Sequence, residues 1–200
     1  MAVRFVHLHV HTEYSLVDGV VRIESEKEDD GSLLREGLID AAARMGMPAV
    51  ALTDQANLFA LVKFYKTAQS KGIKPLIGVD ALVRDEGDRN EPSRLVLLCQ
   101  DARGYLNLTR LVTRSYLEGQ GKHGPTLHRA WLDAESTRGL VALSGARDGD
   151  VGRALVGHRE PEARAALLSW LELFGDRYYL ELQRTGRPGE EECIAGSLQL

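Results

Sequence analysis

Three of the six histidines stand in one short run, residues 7 to 11, reading His-Leu-His-Val-His with Val6, Leu8 and Val10 at the intervening positions. In an extended chain the side chains at i and i+2 leave the same face, so His9 and His11 present two imidazoles to one point, as a divalent cation requires of its first ligands. Asp18 follows at an Asp-Gly turn and can bring a carboxylate to the same strand end. The alternation describes equally well a half-buried strand whose polar face meets solvent or a wet interior, so the run alone leaves both readings open. His123, His128 and His158 lie in loop or amphipathic surroundings and read as surface residues.

Other carboxylates invite similar scrutiny. Asp54, in Ala-Leu-Thr-Asp-Gln-Ala-Asn, ends a strand-like run and opens a helical one. Active-site groups of α/β folds collect at such junctions, and so do plain helix-entry residues. Asp148 and Asp150 form an Asp-x-Asp pair that resembles polymerase metal ligands; both precede the helical Val-Gly-Arg-Ala-Leu, where acidic side chains favour the N-terminal dipole, and that is the reading preferred here. Cys99 sits inside the apolar run Leu-Val-Leu-Leu-Cys and Cys193 stands alone, so neither a disulfide framework nor a zinc ribbon is indicated and both read as reduced thiols.

The elements that must position these groups read as repeated βα units, which imply an α/β fold around a mostly parallel sheet. Strand-like segments are Val3–Val10, Ala49–Thr53, Pro75–Val83, Arg94–Cys99, Gly139–Ser144 and Arg177–Gln183. Ser32 can cap a helix running through Met45 with Gly46 beyond it, and Asn57 can cap a second that Gly72 stops. Further helices are expected around Gly104–Glu118, Val151–Val156, Glu162–Phe174 and from Gly189 onward, and loops at Glu24–Gly31, Arg84–Ser93 and Gly119–Pro125. The last pattern runs to Leu200 without a breaker, as if the chain were cut within a helix.

With 200 residues, 44% apolar and 27% charged, the chain has the material for one ordinary globular domain. A formal charge of −4 argues against gripping nucleic acid over the whole surface, although a local basic strip is compatible with it. Apolar stretches are strand-sized and the start lacks a signal-peptide layout, so a cytoplasmic protein with no membrane partner is expected.

Beyond single motifs, the run Phe-Val-His-Leu-His-Val-His-Thr-Glu-Tyr-Ser-Leu-Val-Asp-Gly, residues 45–65, Gly-Ile-Lys-Pro-Leu-Ile-Gly-Val-Asp, Gly-Tyr-Leu-Asn-Leu-Thr-Arg-Leu-Val and Arg-Tyr-Tyr-Leu-Glu-Leu-Gln-Arg-Thr-Gly-Arg-Pro together resemble the PHP domain of bacterial DNA polymerase III alpha subunits. The order and spacing cover nearly all of the chain. The resemblance implies a distorted (β/α)7, TIM-like barrel, here ending before its last strand. It also implies a cluster of up to three metal ions held by His-x-His, an Asp, a His after Thr-Asp, a Glu after Gly-x, a further His, a Cys and a final Asp-x-His. His9, His11 and Asp18 match this pattern, and Asp80 stands where the family has Glu. Gln55, Arg94 and Ala146 stand at three other ligand positions and break it. Glutamine offers only a weak carbonyl oxygen, alanine no donor, and arginine a fixed positive charge without a lone pair. Arg94 is therefore expected to replace metal charge by pairing with Asp18 or Asp80.

The same depletion marks the proteobacterial branch of the family, which implies a vestigial metal site, no cofactor in this domain, and Mg2+ only in polymerase domains absent from this chain. The implied role is a scaffold that stabilises the polymerase core and docks the epsilon proofreading exonuclease, with primer-template DNA bound mainly by the absent domains. The alternatives are a residual metal-dependent phosphoesterase or 3′–5′ exonuclease using His9, His11, Asp18 and Asp80, and a free-standing PHP phosphatase.

Overall fold

The computed structural model describes residues 5–16, 18–85 and 91–200. It divides into two compact units, 1–79 and 80–200, each described in turn.

In the first unit the expected opening strand is an extended segment beside β3 (Ala49–Leu52), joined to it by Ala51 N–H to the His7 carbonyl at 2.9 Å and Thr53 N–H to the Val10 carbonyl at 3.0 Å. Val3 lies outside the described residues. Val50 and Leu52 point with Ile39, Ala42, Phe64, Ala68 and Ile73 into one apolar core, against which Val10 and Tyr14 pack. A two-stranded antiparallel hairpin, β1 (Glu26–Lys27) and β2 (Leu33–Arg35), precedes helix α1 (Leu38–Arg44). This corrects two expectations, a loop at 24–31 and a helix from Ser32. The amides of Leu38 and Ile39 bond the carbonyls of Arg22 and Ile23, and Gly37 lies so close to the backbone of Glu24 and Ser25 that any Cβ there would collide. The helix can therefore start only after Gly37.

Helix α2 (Leu61–Ser70) begins later than an Asn57 cap would place it. Asn57 instead closes the preceding turn, its Oδ1 accepting from Phe59 N–H and its Nδ2 donating to the carbonyls of Tyr14 and Gln55. Gly72, at φ +71°, ends the helix as expected. The first residues of β4 (Lys74–Arg84) pair in parallel with β3, Ala49 opposite Lys74 through Leu52 opposite Ile77.

The second unit holds β5 (Ser93–Cys99), α3 (Ala102–Glu118), β6 (Gln120–Gly121), β7 (Gly124–His128), β8 (Leu140–Leu143), α4 (Asp150–Val156), α5 (Glu160–Phe174), β9 (Tyr178–Tyr179) and α6 (Glu190–Ser197). The strand order is β6-β7-β4-β5-β8-β9, with the end of β4 parallel to β7, β8 parallel to β9, and β5 antiparallel to β8. The sheet is thus mixed. Eight residues join β4 to β5, too few for a parallel crossover. The expected loop at 119–125 is the β6–β7 hairpin, and the expected strand at 177–183 shortens to two residues. Of the expected loop at 84–93, residues 86–90 lie outside the described residues. Helix α6 ends at Ser197, short of the chain end. Leu95, Val96, Leu97, Leu108, Leu140, Trp170 and Phe174 form the buried centre of this unit.

Candidate functional site

In the first unit the extended segment brings His9 and His11 together as their spacing requires, their Nε2 atoms 3.2 Å apart. Asp18 lies 3.1 Å from His11 Nδ1 and also accepts from Gln55 Nε2 at 3.1 Å. A carboxylate on Nδ1 holds the proton there and leaves Nε2 as the lone-pair atom. His11 Nε2 then accepts from His9, or both Nε2 atoms turn to one cation. Asp18 therefore orients an imidazole and anchors Gln55, whose amide nitrogen is spent on it.

The loop carrying Asp18 is shaped by Asp54. Its buried carboxylate accepts from Thr12 N–H at 2.6 Å, from the Thr12 hydroxyl at 2.8 Å and from the Ser15 hydroxyl at 2.7 Å. Ser15 Oγ in turn accepts from Gln55 N–H at 3.1 Å. Asp54 is thus neither a reactive group nor a helix cap but a clamp on the turn after the histidines. Gly19 completes the return: a Cβ there would strike the Thr12 carbonyl.

In the second unit Asp80 on β4 is buried, with its side chain 0% exposed, and Arg94 on the neighbouring strand β5 donates through Nη1 to Asp80 Oδ2. One of the two partners expected for Arg94 is thus found. The bond brings a permanent guanidinium charge to one oxygen of a carboxylate with no access to water, a charge-assisted pair of the kind that a buried acid needs. Ala146 is buried, holds φ at 47° and offers no donor atom. Gly145 before it lies close against the Arg94 backbone carbonyl, and Gly149 is pressed on the Ser144 carbonyl, so the loop after β8 is fixed by backbone contacts.

The Asp-x-Asp pair is not a metal pair. Asp148 faces Arg147 at 3.5 Å and Arg187 at 3.8 Å. Asp150 accepts from Trp170 Nε1 at 2.7 Å at the start of α4, and burial raises its pKa. Both cysteines are free; burial pushes the Cys99 thiol up to about 12, with nearby Asp101 adding to the shift, and burial raises Cys193 too. His123 and His158 are exposed as expected, but His128 is half-buried, its ring tilted against that of Trp131 with centroids 4.6 Å apart, and 3.4 Å from an Arg84 nitrogen. Only a contact across 44 residues reveals that, and no local sequence signal carries it.

The PHP domain family matches residues 7–185, and the chain belongs to that family, with its mixed α/β fold. It is similar to the DNA polymerase III subunit alpha of Pseudomonas fluorescens, 44% identical over 200 residues, and to that of Escherichia coli K12, 41% identical over 197 residues. The match covers 100% and 98% of this chain but 16% of either relative, so the chain spans about one sixth of the length of the curated relatives it matches. Among solved structures, an amidohydrolase from Chromobacterium violaceum aligns with TM-score 0.40 and 22% identity, over 57% of this chain and 34% of its own.

Three of the residues expected to break the metal pattern have these surroundings. Gln55 gives its amide nitrogen to Asp18, Arg94 pairs with Asp80, and Ala146 offers no donor atom.

Proposed function

We propose that this chain is the PHP portion of a replicative DNA polymerase III alpha subunit, acting in the cytoplasm within a DNA-directed DNA polymerase, and that the portion itself catalyses no hydrolysis. Its work is to stabilise the polymerase and to dock the epsilon proofreading exonuclease. Nucleotide addition and its Mg2+ belong to domains outside this chain. The salt bridge from Arg94 to the buried Asp80 carboxylate carries the reading, because a permanent guanidinium charge opposes loading of cations at that strand end. The 44% identity to an alpha subunit supports the polymerase context.

The test is twofold. Purified protein is assayed with labelled single-stranded DNA and with p-nitrophenyl phosphate in Mn2+ or Zn2+; no turnover beyond that of a His9→Ala variant is expected. Turnover abolished by His9→Ala contradicts the reading. Co-elution with a purified epsilon subunit on a sizing column is the expected sign of docking, and separate elution at micromolar concentration counts against it.

One observation favours a second reading. His9 and His11 present two imidazole nitrogens 3.2 Å apart, with Asp18 against His11, a start towards a mononuclear site that would serve a residual phosphoesterase. The same assay decides between the two.

A further inference from the structure

The second unit carries a continuous run of cations that neither the vestigial site nor the family role absorbs. On α3 a shallow open groove of about 350 Å³ is lined by Thr109, Arg110, Thr113, Arg114, Leu117 and Glu118. Arg114 bonds Glu118 at 2.8 Å and lays its guanidinium 4.3 Å from the centre of the Trp131 ring. Trp131 lies against His128, ring centroids 4.6 Å apart, and His128 Nε2 meets Arg84 Nη2 at 3.4 Å; Arg84 and His128 are register partners on β4 and β7. The β6–β7 hairpin closes on this end, with Gly121 beside Arg84 and exposed Lys122 and His123 at its tip.

Two features separate this strip from an ordinary solvated face. Arg84 and Arg110 have no ion pair among the described residues, although the chain as a whole is acidic. Glu118 is the one carboxylate lining the groove, and Asp85, next to Arg84, is within electrostatic reach of Arg129. The arginines are also held: Arg114 by Trp131 and Glu118, Arg84 by His128. Holding a long side chain in place before binding removes part of the entropy that a free arginine loses on meeting a ligand.

We infer that this strip binds the sugar–phosphate backbone of DNA without reading its sequence. Guanidinium groups match phosphate oxygens, and the Thr109 and Thr113 hydroxyls in the groove are further donors to them. Trp131 is already covered by His128 and Arg114, so the surface offers phosphate contacts and not a platform for bases. The choice of DNA over an acidic protein rests on the polymerase reading above. The strip adds a DNA contact to a domain for which that reading needs none.

The experiment is fluorescence anisotropy of a labelled mixed-sequence duplex titrated with the 200-residue chain between about 20 and about 200 mM salt. Binding is expected, with log K falling linearly in log salt. The double variant Arg84→Ala, Arg110→Ala is expected to lose about tenfold in affinity at low salt and to flatten the slope by about 1.8, roughly 0.9 per lost phosphate contact. Arg164→Ala, an exposed arginine on α5, serves as the control and should leave both unchanged. Circular dichroism confirms that the variants are folded; if the double variant unfolds, Arg110→Ala alone is read for half the slope change. Three results overturn the inference: no binding at the lowest salt, an unchanged slope in the variant, or displacement of the duplex by polyglutamate as readily as by unlabelled DNA. None of them bears on hydrolysis, so the proposed function stands or falls separately.

Discussion

Arg94 reaches from β5 to the buried carboxylate of Asp80 on the neighbouring strand β4. On the function proposed above, the guanidinium supplies the charge that an ion would otherwise bring. The neighbouring strands β4 and β5 are thereby joined by a polar contact made entirely from the chain's own side chains.

Removing one partner should be worse than removing both. Arg94→Ala leaves an uncompensated buried carboxylate and is expected to lower unfolding free energy by about 2–4 kcal/mol, the usual figure for a broken buried pair reduced somewhat because the Arg94 side chain is 24% exposed. The double variant Asp80→Leu, Arg94→Leu should recover much of that loss. Urea denaturation of the parent, Asp80→Leu, Arg94→Leu and the double variant gives the coupling; simple additivity would show that the pair does not interact.

Asp54 gathers the Thr12 amide and the hydroxyls of Thr12 and Ser15 from inside the first unit. Asp54→Ala strands those donors and is expected to destabilise the protein by at least about 3 kcal/mol, at roughly 1–3 kcal/mol for each buried group left unbonded. It should also release the 12–19 turn, seen as faster amide exchange at Thr12 and Gln55. Unchanged exchange there would show that the clamp is not needed.

The ion pair between Lys71 and Asp40, 2.7 Å long and backed by the Ser25 hydroxyl, holds the Asp40 carboxyl below its ordinary value of 3.8, the lysine being the larger cause. A carboxylate with a lowered folded pKa stabilises above its unfolded value, and the contribution fades as pH falls through the folded one. Asp40→Asn should therefore lower stability by about 0.5–1 kcal/mol at pH 7, the range for a pair this exposed, and melting curves of variant and parent should converge below pH 3. A gap that persists in acid would assign the effect to packing.

Burial keeps Cys99 in its thiol form at neutral pH, its pKa near 12. Iodoacetamide at pH 8 should alkylate Cys99 only at the rate at which the protein opens, and readily once urea is added. Fast modification of the native protein would contradict the described environment of β5.

Much of this was legible in the residues. The His9–His11 pairing follows from period 2 in an extended chain, and the fate of Arg94 follows from its inability to ligate a metal beside a carboxylate. Strands β3, β4, β5 and β8 and helices α3 to α5 fall within a few residues of the hydrophobic pattern. The failures have local causes. Leu33 and Leu34 read as the start of an apolar stripe, yet both are exposed on a hairpin, because Gly37 and the Arg22 and Ile23 carbonyls set the helix start. Asp18 falls beside the histidines as its turn suggests, but its bond to Gln55, the bonds of Asp54 to Thr12 and Ser15, and the contact of His128 with Arg84 join residues about forty apart, which no short window discloses.

The central claim is that the old metal position is held by protein charge. Inductively coupled plasma mass spectrometry after incubation with excess zinc and manganese and exhaustive dialysis tests it most directly. The account predicts well under one equivalent of either metal in the parent, and no gain in the single variant Gln55→His. Two or more equivalents retained by the parent protein, and lost on His9→Ala, would contradict it.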